Sequence, residues 1–138
     1  MNREIKFRGR DESGKWHYGS LLYKEEESPV QETNAPYIET YIEGAGLNDP
    51  KIEVTPYTVG QFTGLKDANG KEIYEWDIVT IGSNLKAMVI WFNGSFRFKD
   101  ELSSKATYLD DIGTIMRDYD VTIIGNIHDN PELLKGGE

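Results

Sequence analysis

Few reactive side chains in this sequence stand at spacings that chemistry requires. Ser83-Asn84-Leu85-Lys86 has the S-x-x-K spacing of a serine nucleophile with a lysine base, but the partner motifs of that enzyme class are missing and the tetrad falls in a loop. The two histidines, His17 and His128, would make a metal site only by converging with carboxylates such as Asp129, and no local spacing enforces this. Asp67-Ala68-Asn69-Gly70 begins like a calcium loop, yet its glycine comes two positions early and Lys71 occupies the third ligand position, so it reads as a turn. Gly44-Ala45-Gly46 lacks the third glycine and the following amphipathic helix of a dinucleotide fingerprint. Glu75 with Asp77, and Asp110 with Asp111, are the acid pairs that a shared cleft would turn into an acid and a base; adjacent acids on turns are ordinarily solvated. With no cysteine, disulfides, a thiolate nucleophile and cysteine-ligated zinc are all excluded. The expectation is a chain with no catalytic residues, no cofactor and no metal.

The richer resource is aromatic: Trp16, Tyr18, Tyr74, Trp76, Trp91, Phe92, Phe96 and Phe98, most of which a small β domain needs for its core. The stretch from Val59 to Ile81 organises the elements that hold them. Asn69 and Gly70 accept the positive φ of a tight reversal, the flanks are β-branched, and Glu75-Trp76-Asp77 breaks the alternation as a bend or bulge does. From Lys86 to Lys99, Asn93-Gly94 sits between two alternating apolar runs, the strongest short hairpin signal. With those two as the turn, Trp91 faces Phe96 and Val89 faces Phe98, all four on one face that the pattern assigns to the core.

Upstream, Ile5 and Phe7 alternate with Lys6 and Arg8, and Trp16 to Tyr23 returns after an Asp11-Glu12-Ser13-Gly14 turn, which predicts an opening hairpin. Lys24 to Asn34 is acidic, polar and contains Pro29, and reads as a mobile loop. Tyr37 to Ile42 reads as an edge strand, followed by a Gly44 to Pro50 loop and Ile52-Glu53-Val54. Leu109, Ile112 and Met116 have helical spacing with Thr107 as N-cap. Val121 to Ile127 is a strand in which Gly125 permits a close approach, and Asn130-Pro131 opens a short helix that Gly136-Gly137 stops. No internal repeat or heptad is evident.

The chain has 138 residues and a formal charge of −9, unevenly spread: +2 over residues 1–23, −6 over 24–53 and −5 over 54–138. Such a field repels polyanions, so nucleic acid is disfavoured, although Arg3, Lys6, Arg8, Arg10 and Lys15 supply one local basic edge. Neither a signal peptide nor a membrane-spanning apolar run is present, which predicts a soluble, cytoplasmic protein; Asn93-Gly94-Ser95 is then a turn and not a glycosylation site.

Gly64-Leu65-Lys66-Asp67-Ala68-Asn69-Gly70-Lys71-Glu72-Ile73-Tyr74-Glu75, continuing through Asp77-Ile78-Val79, resembles the signature of the YopX family of phage and prophage proteins. Arg3 to Gly9 with Gly14 to Leu21 is similar to that family's N-terminus, and Ile123 to Leu134 to its C-terminal signature. The resemblance covers residues 1–22 and about 54–134 and implies a phage or prophage origin, for a family without an established biochemical role. One departure stands out: the family usually carries glycine where this chain has Trp76. A glycine needed there for positive φ would leave Trp76 distorting the turn; otherwise the position is simply exposed, and an exposed tryptophan suits an interface. Trp76 is therefore the candidate interaction residue. The fold expected is mainly β, about eight short strands and two short helices, with an N-terminal hairpin, a small SH3-like barrel in the central and C-terminal part and a short C-terminal helix. It forms one YopX-like domain over 1–138, with 1–58 and 59–138 as candidate β subdomains. The function expected is non-enzymatic binding of a phage or host protein, with homo-oligomerisation open. A nucleic-acid-binding barrel and a carboxylate-dependent hydrolase are the alternatives.

Overall fold

A computed structural model describes residues 4–26, 37–44, 46, 48–100 and 107–134 of the protein. These residues form eleven strands, one short helix and two 3-10 turns, a mainly β structure of antiparallel sheets. The chain divides into two compact units, Met1–Gln61 and Phe62–Glu138.

In the first unit, β1 (Phe7–Arg10), β2 (Trp16–Glu26), β3 (Tyr37–Glu43) and β4 (Lys51–Glu53) form an antiparallel meander, and the start of β5 (Gly60–Lys66) pairs with β1. The opening hairpin is present, but β2 runs three residues into the segment read as a loop, because Lys24, Glu25 and Glu26 pair with Glu39, Ile38 and Tyr37. The rest of that segment lies outside the described residues. β3 is not an edge strand; β2 and β4 flank it, so Ile42 is 1% exposed. Gly19 is required where β3 ends against β2, since a Cβ there would lie 2.0 Å from the Glu43 carbonyl oxygen. A 3-10 turn at Pro56–Thr58 is tied to β1, with the Arg10 amide donating to Thr58 Oγ1 (2.8 Å) and the Thr55 amide to the Arg10 carbonyl (2.9 Å).

The second unit holds the remainder of β5, then β6 (Glu72–Tyr74), β7 (Asp77–Ile81), β8 (Leu85–Phe92), β9 (Ser95–Asp100), β10 (Thr107–Asp111), α1 (Ile112–Met116) and β11 (Val121–Asn126). Its main sheet has the order β10-β9-β8-β7-β11 around a core of Ile73, Val79, Ile81, Ala87, Val89, Phe98, Ile112 and Val121. The expected SH3-like barrel does not close among the described residues, since β10 and β11 are the two ends of an open sheet. The β11 edge is instead covered by turns. The Ala68 amide donates to the Val121 carbonyl (2.9 Å), the Ile123 amide to Asp67 Oδ2 (3.0 Å) and the Asn126 amide to Asn130 Oδ1 (3.3 Å). A blocked edge offers no template for further pairing. Gly125 does permit a close approach, made by the Asn130 side chain: a Cβ would meet its Oδ1 at 2.5 Å.

The helix expected with Thr107 as its cap starts later. Thr107 opens β10, and α1 begins only at Ile112 after Asp111, whose carboxylate accepts the Thr114 hydroxyl. Cross-strand pairing to β9 overrides local periodicity there. Among the described residues the C-terminal helix is one 3-10 turn, Pro131–Leu134, and Gly136-Gly137 lie outside them.

The structure also shows a repeat that the sequence reading missed. Asp11-Glu12-Ser13-Gly14-Lys15 and Asp67-Ala68-Asn69-Gly70-Lys71 are the same turn. In each, the Asp amide donates to the Lys carbonyl (2.9 and 2.8 Å) and the Gly amide to the Asp carbonyl (3.0 Å in both). In each, Asp Oδ1 accepts the amides two and four residues on, at 2.9 and 3.0 Å in the first and 2.9 Å twice in the second. Gly14 (φ 92°) and Gly70 (φ 82°) supply the left-handed residue. Phe7-x-Gly9 before the first turn and Tyr18 after it match Phe62-x-Gly64 and Tyr74 around the second. A bulge in β5 between Phe62 and Lys66 shifts the spacing and hides the likeness from a fixed-period comparison.

Candidate interaction surface

The aromatic tip of the β8–β9 hairpin is built from the register that Asn93-Gly94 dictates. Both turn residues have positive φ (51° and 80°), the signature of a type I′ turn, and Phe92↔Ser95, Trp91↔Phe96, Ile90↔Arg97 and Val89↔Phe98 pair as expected. The Trp91 and Phe96 rings stand edge to face, 4.9 Å between centroids and 76° between planes. Burial differs from the expectation. Val89 and Phe98 are fully buried, whereas Trp91 is 55% exposed, Phe92 37% exposed and Phe96 only half-buried. The reason is the length of the neighbours: β7 pairs with β8 no further than Met88, so the last rungs of the hairpin project past it. Arg97 Nε donates to the Phe92 carbonyl (3.2 Å) and to Ser95 Oγ (3.1 Å), bracing the tip.

Trp76 does take the left-handed conformation, with φ 77°. Its amide donates to the Val89 carbonyl (2.8 Å), its carbonyl accepts the Ile127 amide (3.1 Å), and the turn is closed by the Tyr74 amide on Asp77 Oδ2 (2.8 Å). These bonds hold a bulky residue where the family's usual glycine would sit without strain, at a cost of about 1–2 kcal/mol. The ring is half-buried, not freely exposed, and meets the His128 ring edge to face at 6.5 Å. The Val89 carbonyl that fixes Trp76 lies two residues before Trp91 on β8.

The candidate catalytic groups do not assemble. Asp77, 2% exposed, is consumed by the Tyr74 amide, and of the neighbours Asp110 and Asp111, Asp110 is exposed while the Asp111 carboxylate accepts the Thr114 hydroxyl. The Asp111 carboxyl sits below its usual range, chiefly because the Thr114 hydroxyl donates to it. Ser83 and Asn84 are exposed in a turn while Lys86 belongs to β8. No group of three metal-ligating side chains occurs among the described residues. Sequence reasoning missed one dyad, His17 Nε2 to Asp11 Oδ2 at 2.7 Å. Ser13 Oγ donates to the same carboxylate (2.6 Å), so it faces the acid and not the imidazole, and no serine relay results. The only textual cue was the i, i+6 spacing across a turn. Of the N-terminal basic residues, Lys6 pairs with Glu4 (3.2 Å), Arg8, 6% exposed, and Arg10 both lie over the Trp16 ring (4.8 and 6.0 Å), and Arg3 lies outside the described residues.

The family model described as YopX protein matches residues 6–135. The chain belongs to the YopX family. Among solved structures, it is similar to that of protein EF1440 from Enterococcus faecalis, with a TM-score of 0.56 and 22% identity, covering 96% of this chain and 99% of that one. No curated protein matches. The similarity to EF1440 shows a shared fold, and no helix among the described residues is long and apolar enough to cross a membrane.

Proposed function

We propose that this YopX-family chain is a non-enzymatic protein-binding module, phage- or prophage-encoded and acting in a bacterial cytoplasm, that docks through the β8–β9 tip. The observation that carries the reading is the 55%-exposed Trp91, braced edge to face by the half-buried Phe96, on a hairpin whose next pair on the same face, Val89 and Phe98, is locked in the core. Aromatic anchors held rigid before contact lose little conformational entropy on binding, and tryptophan is the side chain most enriched among residues that dominate interfaces. Trp76, whose amide donates to the Val89 carbonyl of β8, is the second candidate contact, and its strained backbone is consistent with a side chain kept for contact. Burial of Arg8 and pairing of Lys6 count against a phosphate track, and the dispersal of the acid pairs counts against a hydrolase.

The test is capture from host lysate, with and without nuclease treatment, by the full chain and by a Trp91→Ala/Phe96→Ala variant. A discrete protein retained by the first and lost by the folded second is expected. Equal capture by both would overturn the role of the tip, and capture that nuclease abolishes would favour the nucleic-acid alternative.

A further inference from the structure

The duplicated turn has been put to different use in its two copies. After Asp67, the residue six positions on is Ile73, fully buried, and the tyrosine seven on, Tyr74, is 2% exposed. After Asp11 the same positions hold His17, half-buried, and Tyr18, 51% exposed. The free oxygen of the turn differs as well. Asp67 Oδ2 binds a backbone amide, whereas Asp11 Oδ2 holds an imidazole. The first copy thus presents polar side chains where the second builds core.

Those side chains line a cleft of about 300 Å3, the lower end of the range for small-ligand sites. Its aliphatic lining is the buried Ile42, its cross-strand partner Ile52, and Pro50. One wall, from the start of β2, carries Lys15, His17 and Tyr18; the other, from the loop before β4, carries Asp49. His17 and Asp49 are each held by a hydrogen bond. The Asp11 carboxylate, kept well below its usual range by Ser13 and His17, holds the imidazole through Nε2, while Asp49 Oδ2 accepts the Gly46 amide at 2.7 Å. A carboxylate so held still has lone pairs for a further donor. A neighbouring hollow of about 510 Å3 is lined by Asp11, Glu12 and Glu53 without a base, and offers no such pairing of signs.

We propose that this cleft binds a small zwitterion of the free amino-acid class, its carboxylate toward Lys15 and His17, its ammonium toward Asp49, and its aliphatic side chain on Ile42 and Ile52. A cleft lined by both the Lys15 ammonium and the Asp49 carboxylate rejects a ligand with only one charge, because the unmatched group loses water without gaining a partner. The proposal is independent of the docking role of the hairpin tip.

The experiment is an amide chemical-shift titration of the full 15N-labelled chain with leucine, N-acetyl-leucine and leucinamide. Leucine is expected to give saturable shifts centred on His17, Tyr18, Gly44 and Ile52 with a Kd of about 1 mM or tighter, and each blocked compound to bind at least tenfold more weakly. Asp49→Asn, which keeps an acceptor for Gly46, and His17→Ile, the residue of the other copy, should each weaken leucine at least tenfold. The proposal fails if leucine gives no saturable shift, if either blocked compound matches it, or if both folded variants bind undiminished. Should a variant not fold, the comparison of the three compounds on the unaltered chain decides.

Discussion

Trp76 was singled out in the sequence by the glycine that the family usually carries there, and the left-handed backbone that such a glycine implies is present. Its half-burial against His128 was not legible, because the contact comes from a segment 52 residues further along the chain. If the backbone is strained, Trp76→Gly will be more stable than Trp76→Ala by about 1 kcal/mol, the reverse of the usual order for these two residues. Urea unfolding of both variants checks this; an alanine variant as stable as the glycine one would show that the turn tolerates a Cβ at no cost. Asp67 was legible as a turn residue but not as the lock on β11. Burial raises its pKa, but the amides of Ile123, Lys71 and Asn69 and the charge of Lys71 outweigh this and leave it lowered. A carboxyl lowered on folding adds stability that is complete above its unfolded value, near 3.8, and is lost as pH falls through the folded one. Between about pH 5 and about pH 2 the native chain should therefore lose more stability than Asp67→Asn does. Parallel losses in a pH series of unfolding curves would show that Asp67 is not a lock.

At the scale of elements, the β8–β9 hairpin was readable to the residue because its turn chemistry and its pairing are both local. Its exposure was not, because that depends on where β7 stops. The consequence is a split between two phenylalanines on one strand face. Phe98→Ala should cost about 3–5 kcal/mol, as a fully buried aromatic does, and Phe96→Ala about 1–2 kcal/mol, as a half-buried one does. Equal losses in chemical denaturation would mean that the tip is packed against something. The other misreadings share one cause. Lys24 to Glu26 form strand only because β3 returns beside them, and Thr107 to Asp111 only because β9 does, so local composition pointed elsewhere. The turn repeat escaped because the Phe62–Lys66 bulge breaks its register.

For the whole molecule, mainly β architecture and YopX membership were legible because motif fragments span most of the chain. Barrel closure was not, since it depends on how the two end strands of a sheet are covered. With a charge of −9, Arg8 buried and Lys6 paired with Glu4, the chain should show no sub-micromolar binding to single-stranded or duplex oligonucleotides at about 150 mM salt, where diffuse attraction is screened. Tight, salt-sensitive binding in a fluorescence titration would refute this. The claim on which the account turns is that a protein partner docks on the aromatic tip. Site-specific photocrosslinking tests it most directly, with the reactive group placed at Phe92 beside Trp91 or, as a control, at Tyr119, which is 57% exposed elsewhere in the same unit. In host cells a discrete protein adduct is expected from position 92 and not from position 119. Adducts of equal yield from both positions, none from either, or adducts only to nucleic acid would contradict it.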